Sequence, residues 1–317
     1  MFIDEKTMKL SIITIAYNDL PGLKRTTNSI QKQTFTDYEW IVIDGGSCDG
    51  TPEYLTSLDK QPCFWSSEPD SGIYDAMNKG LSHASGDWCL FLNSGDSLYE
   101  QGVLKKVFSK IPDADIVYCD AVFKGKGKTF DMTYPDKLTL DFFTERCICH
   151  QATFIKRHLL IESNGYSTNY KIVSDWRAWV MWIMQGKSFI HLPIVVCTFM
   201  LDGIGSTKLQ EAKEERKKVF DELLPEYVKP LLFNDTYNRA LEHYVKKLHA
   251  QFLNKPLIRA SIVLSRNNWF VRKTMQVLIL LGSAIDRCFY SKNHYIKYTD
   301  EKYDASHPEI FTFNNPY

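Results

Sequence analysis

EWIVIDGGSCDGT, residues 39–51, reads as a buried strand, a glycine turn and the start of a helix. Trp40, Ile41, Val42 and Ile43 make an apolar run of strand length without polar alternation, the pattern of a strand covered on both faces. Asp44 closes the run, Gly45 and Gly46 permit turns that other residues resist, and Asp49 or Thr51 can cap the following helix. A strand running straight into a helix points to a parallel sheet with crossover helices.

The same rhythm extends on both sides. Residues 10–16 are expected as a strand and 20–33 as its crossover helix. Further on, 51–58 reads as helix, 63–66 as strand, 73–83 as helix, 88–92 as strand, 104–108 as helix and 116–121 as strand. The expected class is α/β: a mainly parallel, Rossmann-like central sheet flanked by helices. Beyond it, 151–155 is expected as a strand, 176–184 as an apolar helix, 188–200 as a strand broken at Pro193, and 209–224 as a charged, solvated surface helix with Glu and Lys at i,i+4 spacing.

Ligands of open α/β sheets sit outside the carboxyl ends of the strands, so those ends are where function is read. The first ends in Ala16, Tyr17 and Asn18 with no G-x-G-x-x-G turn, which excludes the dinucleotide fingerprint. GKGKT at 125–129 imitates a Walker tail, but Val122 stands where the first glycine belongs, so a surface loop is expected there. Asp44 can accept from a base N–H or a ribose hydroxyl, or simply hold a strand-to-helix turn. In DSGIYDAMNKG (70–80), Asp70 or Ser71 can cap a helix placing Asp75 beside Lys79 and Tyr74 beside Asn78. Such a helix end can meet a phosphate with backbone N–H groups, and Lys79 can add a point charge; an Asp75–Lys79 ion pair with a structural role explains the same spacing. The apolar strand 88–92 empties into Asn93, Ser94, Gly95 and Asp96, oxygen donors suited to Mg²⁺ or Mn²⁺ with a diphosphate, and equally a set common in turns.

In this order the fragments resemble the family 2 glycosyltransferases of the GT-A nucleotide-diphospho-sugar transferase fold, especially bacterial surface-polysaccharide members, from about Lys9 to Gly205. The resemblance implies that Ala16, Tyr17 and Asn18 line a nucleoside pocket, that Asp44 and Gly45 meet the base, and that Gly72, Asp75, Asn78 and Lys79 flank ribose and diphosphate. It gives Asn93 and Ser94 to the donor and Asp96 to the metal. Many relatives carry Asp-Ser-Asp-Asp where this chain has Asn93-Ser94-Gly95-Asp96, so weak metal affinity or altered coordination is a consequence. The family's base lies in a Glu-Asp pair before an apolar helix; Ser174-Asp175-Trp176 matches by position, making Asp175 the base of an inverting displacement, or else a helix cap. His150, Gln151 and Trp176 fall on the acceptor side, His150 and Gln151 alternatively being a satisfied polar pair.

The implied activity is transfer of a sugar from a nucleotide-diphosphate sugar, UDP being favoured by the resemblance, to a hydroxyl of a glycan or lipid-linked acceptor. A non-catalytic nucleotide-sugar-binding or scaffold protein with a degenerate metal site is the alternative. A nucleotidyltransferase would need a glycine-rich triphosphate loop, and none is present. The implied domains are a catalytic domain over 1–205, divided into a nucleotide-sugar half (about 1–97) and an acceptor half (about 98–205), and a helical, basic extension over 206–317.

Bulk composition agrees with a folded enzyme. The 317 residues suffice for a large core, and 38 Lys and Arg cancel 38 Asp and Glu, which leaves no general attraction for nucleic acid. The eight cysteines include no CxxC pair, so reduced core thiols are expected; Cys147, Cys149 and His150 lack a second ligand pair at zinc spacing. Residues 1–10 show no signal-like apolar core and no run reaches the length of a membrane span, so a cytoplasmic protein is expected. Residues 255–297 carry eight basic residues against Asp286 alone. Their apolar stretch either lies on an anionic membrane surface at the inner face of the cell membrane or packs on the catalytic domain.

Overall fold

The described residues of the computed structural model are 9–125 and 127–224. The N-terminal residues 1–8, the basic region 255–297 and the remaining expected C-terminal helices lie outside them.

Continuous apolar runs become the centre of the sheet. β1 (Leu10–Ala16), β2 (Tyr38–Asp44), β3 (Phe64–Ser67) and β4 (Trp88–Phe91) pair in parallel in the order β3-β2-β1-β4, with Ala16 opposite Asp44. Every residue of β1 and β4 is buried, as expected of strands covered on both faces. The crossovers are α1 (Leu20–Gln31), α2 (Thr51–Thr56) and α3 (Ile73–Ser82). The parallel arrangement fixes the direction of the strands, so β1, β2 and β4 all deliver their polar ends to one edge.

The second half turns mixed. After the two-residue strand β5 (Ser97–Leu98) come α4 (Val103–Phe108), β6 (Ile116–Gly125), β7 (Lys128–Met132) and α5 (Leu140–Glu145). A 3-10 turn at His150–Ala152 leads into β8 (Thr153–Lys156), then α6 (Arg157–Glu162), α7 (Ser174–Met184), β9 (Phe189–Met200), α8 (Ile204–Thr207) and α9 (Leu209–Leu223). β8 runs antiparallel between β4 and β6, while β9 runs parallel to β6. Two elements depart from expectation. Gln151 lies in the 3-10 turn rather than the strand. β9 is not broken at Pro193; it passes the proline through a register shift in which Leu192 pairs Cys119 and Val195 pairs Asp120, sparing a ladder position that lacks an N–H. Where a surface loop was expected at 125–129, β6 gives way to β7 with Gly125 opposite Lys128 and with 127–129 exposed.

The compact unit runs on to Leu223 and so takes in α9, which the sequence placed beyond residue 205. Nor is α9 a purely solvated helix: Ala212, Val219 and Phe220 are buried, and Phe220 packs edge-on against Trp176 of α7 at 4.8 Å.

At the sheet edge opposite the polar strand ends, Glu39 ties three segments together. Its Oε1 accepts from Ser11 Oγ at 2.6 Å, from Ser85 N–H and Oγ–H, and from Gly86 N–H at 3.1 Å. Burial alone would raise its pKa, yet these donors together hold it below the ordinary value of 4.5. A lowered folded-state value means this contribution is present above about pH 4.5 and lost as pH falls through the folded pKa. Glu39→Ala is expected to cost about 2 kcal/mol at pH 7, with the wild-type advantage vanishing in acid; thermal melts of both proteins across pH 3–8 check it.

Candidate active site

The β1 and β2 ends build one wall. Asn18 sits at φ 49°, donates its backbone N–H to Ser47 Oγ at 2.7 Å and accepts from Cys48 N–H at 3.0 Å through Oδ1. Asp49 accepts from Leu20 N–H at 2.7 Å and from the Thr51 hydroxyl at 2.7 Å, pinning both helix starts. Asp44 is fully buried. Its Oδ2 accepts from Ser47 N–H at 2.9 Å and Ser67 Oγ at 2.6 Å, and Oδ1 accepts from Ser47 Oγ. The hydrogen bonds that the sequence reading reserved for a base or ribose are thus made within the chain, and Asp44 holds the wall's turn. What this wall exposes is Tyr17, whose side chain is 67% accessible. Gly45 allows its shape: a Cβ there would lie 2.6 Å from Asp70 Oδ2 and 3.2 Å from the Tyr17 ring.

α3 crosses from this wall to the second half. Its cap is Gly72 at φ 120°, not Asp70 or Ser71; Asp70 Oδ1 instead accepts from Gly72 N–H at 2.8 Å. Asp75 accepts from Ser71 N–H at 3.0 Å and pairs with Lys79 at 3.1 Å, and Lys79 also donates to Pro69 O at 3.3 Å. Asn78, expected beside ribose and diphosphate, brackets the Tyr166 backbone: Nδ2 donates to its carbonyl at 2.7 Å and Oδ1 accepts from its N–H at 2.8 Å. The strut needs Gly165, at φ 72°, because a Cβ there would run into Asn78 Oδ1.

The β4 end carries the electrostatic tension. Ser94 Oγ donates to Asp19 Oδ2 at 2.8 Å. Asp96 is 5% exposed, and its Oδ1 accepts from Met200 N–H at 2.8 Å. Burial pushes its pKa up to about 8; the Met200 hydrogen bond opposes this, Asp202 adds to it, Arg25 opposes and Asp19 adds. Asn93 Oδ1 is buried with no hydrogen-bond donor among the described residues. A buried carboxyl among like charges and an unsatisfied amide oxygen fit a hard divalent cation, whose preferred ligands are oxygens. No group of three or more His, Cys, Asp or Glu side chains that could hold an ion occurs among the described residues. Asp96 and Asn93 therefore offer a partial shell that a diphosphate would have to complete.

Asp175 lies in the first turn of α7, with a side chain 20% accessible. Oδ1 accepts from Tyr74 O–H at 2.9 Å, a hydroxyl also 2.7 Å from Ile172 O, and from Trp176 N–H at 2.8 Å. Oδ2 stands 3.8 Å from His150 Nδ1. His150 is buried against Phe91 and Trp179, with Nε2 2.8 Å from Tyr166 O–H. Burial lowers its pKa and the Asp175 charge opposes this, so the imidazole is neutral at pH 7.

Two acceptor-side expectations change. Trp176 is 1% exposed, its Nε1–H donating to Phe143 O at 3.1 Å, and is a core residue. His150 and Gln151, 5% and 7% exposed, form a layer behind Asp175; Gln151 Oε1 lies 3.5 Å from Cys149 Sγ. The thiols follow expectation in part: Cys89, Cys119, Cys149 and Cys197 are buried, whereas Cys48 and Cys63 are exposed. The sequence reading missed Asp19, Arg25, Tyr166 and Asp202, which lie in turns or on a helix face without motif spacing.

Comparison with known proteins gives a consistent result. The family model described as "Glycosyl transferase family 2" matches residues 11–166. An uncharacterised glycosyltransferase of Mycobacterium tuberculosis is 31% identical over 214 residues, covering 62% of this chain and 77% of that protein. A PGL/p-HBAD biosynthesis glycosyltransferase of Mycobacterium bovis is 35% identical over 177 residues, covering 52% of this chain and 66% of that protein. Among solved structures, S. aureus TarS 1–349 in complex with UDP aligns with a TM-score of 0.53 at 16% identity, covering 97% of this chain and 99% of that one, a likeness of fold.

The raised pKa of Asp96 has a sign that can be measured without metal. Between its unfolded value of 3.8 and about 8 the folded state binds the extra proton, so this residue's contribution to stability falls as pH rises across that window. Asp96→Asn keeps an oxygen for Met200 N–H and removes the buried charge. In EDTA the variant should melt higher than wild type by roughly 5 °C at pH 8.5, with the gap closing toward pH 4; calorimetry across that range tests it.

Proposed function

The chain belongs to glycosyl transferase family 2, and from that premise we propose that it is an inverting glycosyltransferase using a UDP-sugar, with Asp175 as the base and a hydroxyl of a glycan or lipid-linked molecule as acceptor. The single observation that carries this reading is the state of Asp175. One oxygen is fixed by Tyr74 and Trp176, while the other accepts no hydrogen bond from the described residues on a side chain that still reaches solvent. That is the arrangement a general base requires: held, but with a lone pair available.

The donor lies along the polar strand ends. The exposed Tyr17 ring offers the nucleobase a flat face, and the Asn18–Ser47 and Asp44–Ser67 bonds keep that wall rigid before the donor arrives. Asn93 and Asp96 would hold Mg²⁺ or Mn²⁺, which when bound supplies positive charge to the leaving diphosphate. As the acceptor oxygen attacks the anomeric carbon, its proton passes to Asp175 Oδ2 and the bond to the nucleotide diphosphate breaks from the opposite face, inverting the centre. Tyr74 keeps Oδ1 occupied, so the proton has one destination. A relative named for PGL/p-HBAD biosynthesis supports a biosynthetic role.

A binding or scaffold protein is the second reading, favoured by the lone turn carboxylate whose Oδ1 is already bonded to Met200. A panel of UDP-, GDP- and dTDP-sugars with Mn²⁺, scored for nucleotide binding and for nucleotide release, separates the two. Asp175→Asn should lower turnover about 10³-fold while changing donor affinity less than about twofold; near-wild-type turnover would sink the base assignment.

Peripheral association with the cytoplasmic membrane face is proposed from the composition of 255–297, and among the described residues no helix is long and apolar enough to cross a bilayer. Sedimentation with anionic vesicles at low salt should pull down the full chain and lose it at 0.5 M salt. Binding that survives deletion of 256–317 contradicts this.

A further inference from the structure

The loop that delivers Asp175 is held from outside α7. Val173 caps that helix without a side-chain hydrogen bond, and the amides leading up to it find their partner outside α7. Glu215 of α9 supplies it. Oε1 accepts from Lys171 N–H at 2.8 Å, and Oε2 accepts from Ile172 N–H at 2.9 Å and Val173 N–H at 3.2 Å. Three consecutive amides on one carboxylate are charge-assisted bonds that fix the backbone immediately before Ser174 and Asp175. The same loop presents Ile172 O to Tyr74, the residue that also holds Asp175 Oδ1.

Arg216 follows in sequence and turns its guanidinium over the Trp176 ring at 4.9 Å. Further along α9, Glu222 pairs with Arg177 and accepts from Tyr170 O–H at 2.5 Å, so the helix is anchored to α7 and its leading loop at two levels.

We propose that α9 is part of the catalytic apparatus, with Glu215 a positioning residue that fixes the backbone carrying Asp175. The inference rests on Asp175 being the base. Glu215 keeps that base in register with a bound acceptor, where a displacement near 1 Å costs about a hundredfold in rate.

The test uses the full chain with UDP-glucose and UDP-N-acetylglucosamine in Mn²⁺, following UDP release. Glu215→Gln sets an amide N–H₂ against a backbone N–H in place of an acceptor. It should lower kcat about 10- to 100-fold with donor KM within twofold, and hydrogen exchange at residues 171–173 should accelerate. Glu215→Asp keeps a carboxylate that can accept from the same amides and should retain more turnover than Glu215→Gln. Wild-type kcat in Glu215→Gln overturns the role. Melting curves and UDP affinity confirm that each variant is folded, and Glu215→Asp, with exchange at 171–173 and kcat both expected between wild type and Gln, reads out independently should Glu215→Gln fail to fold. Active Asp175→Asn would remove the base assignment; inactive Asp175→Asn with unaffected α9 variants would remove only this inference.

Discussion

The Tyr74–Asp175 hydrogen bond spans 101 residues of sequence and makes one site out of two halves. Tyr74 belongs to a helix whose start is set by the parallel strands; Asp175 belongs to a helix that follows the mixed part of the sheet. A buried phenol must spend its one proton on an acceptor, because leaving it unmet costs about 1–3 kcal/mol, and here Asp175 Oδ1 at 2.9 Å and Ile172 O at 2.7 Å share it. That requirement, with the Asn78 bracket on Tyr166 one turn later, holds the acid at a fixed height above the strand ends.

Two buried aspartates at neighbouring strand ends show how much the partners matter. Asp44 collects donors from Ser47 and Ser67 on both oxygens, whereas Asp96 has one backbone N–H and sits near two further acids. Both are almost inaccessible. The first is therefore a finished structural unit. The second retains an unmet demand for positive charge, and chemistry is drawn to places where the protein alone does not satisfy its own groups.

The strands of the first half were legible because burial on both faces leaves an unmistakable apolar run, as in residues 10–16 and 88–91. The short β5 and the polar hairpin strand β7 carry no such run and went unread; Pro193 suggested a break because a proline signals a missing N–H without saying that a register shift will absorb it. The acids at 44, 96 and 175 could be picked out by position. Their partners could not, since residue type does not disclose whether Asn78 will face a ligand or bracket a backbone, or that Trp176 will turn inward. Glu215 and Arg216 were least legible of all: a run of alternating charges looks like a solvated face until the loop it grips is in view.

β7 leaves one more consequence. Among the described residues it pairs with β6 alone, and its outer row includes exposed Lys128, Thr129 and Asp131. An open strand border is an invitation to self-association, and charged side chains of opposite sign along it make stacking of a second copy in register unfavourable. On this branch of the sheet the exposed charges make a poorer template for a second strand than an apolar row would.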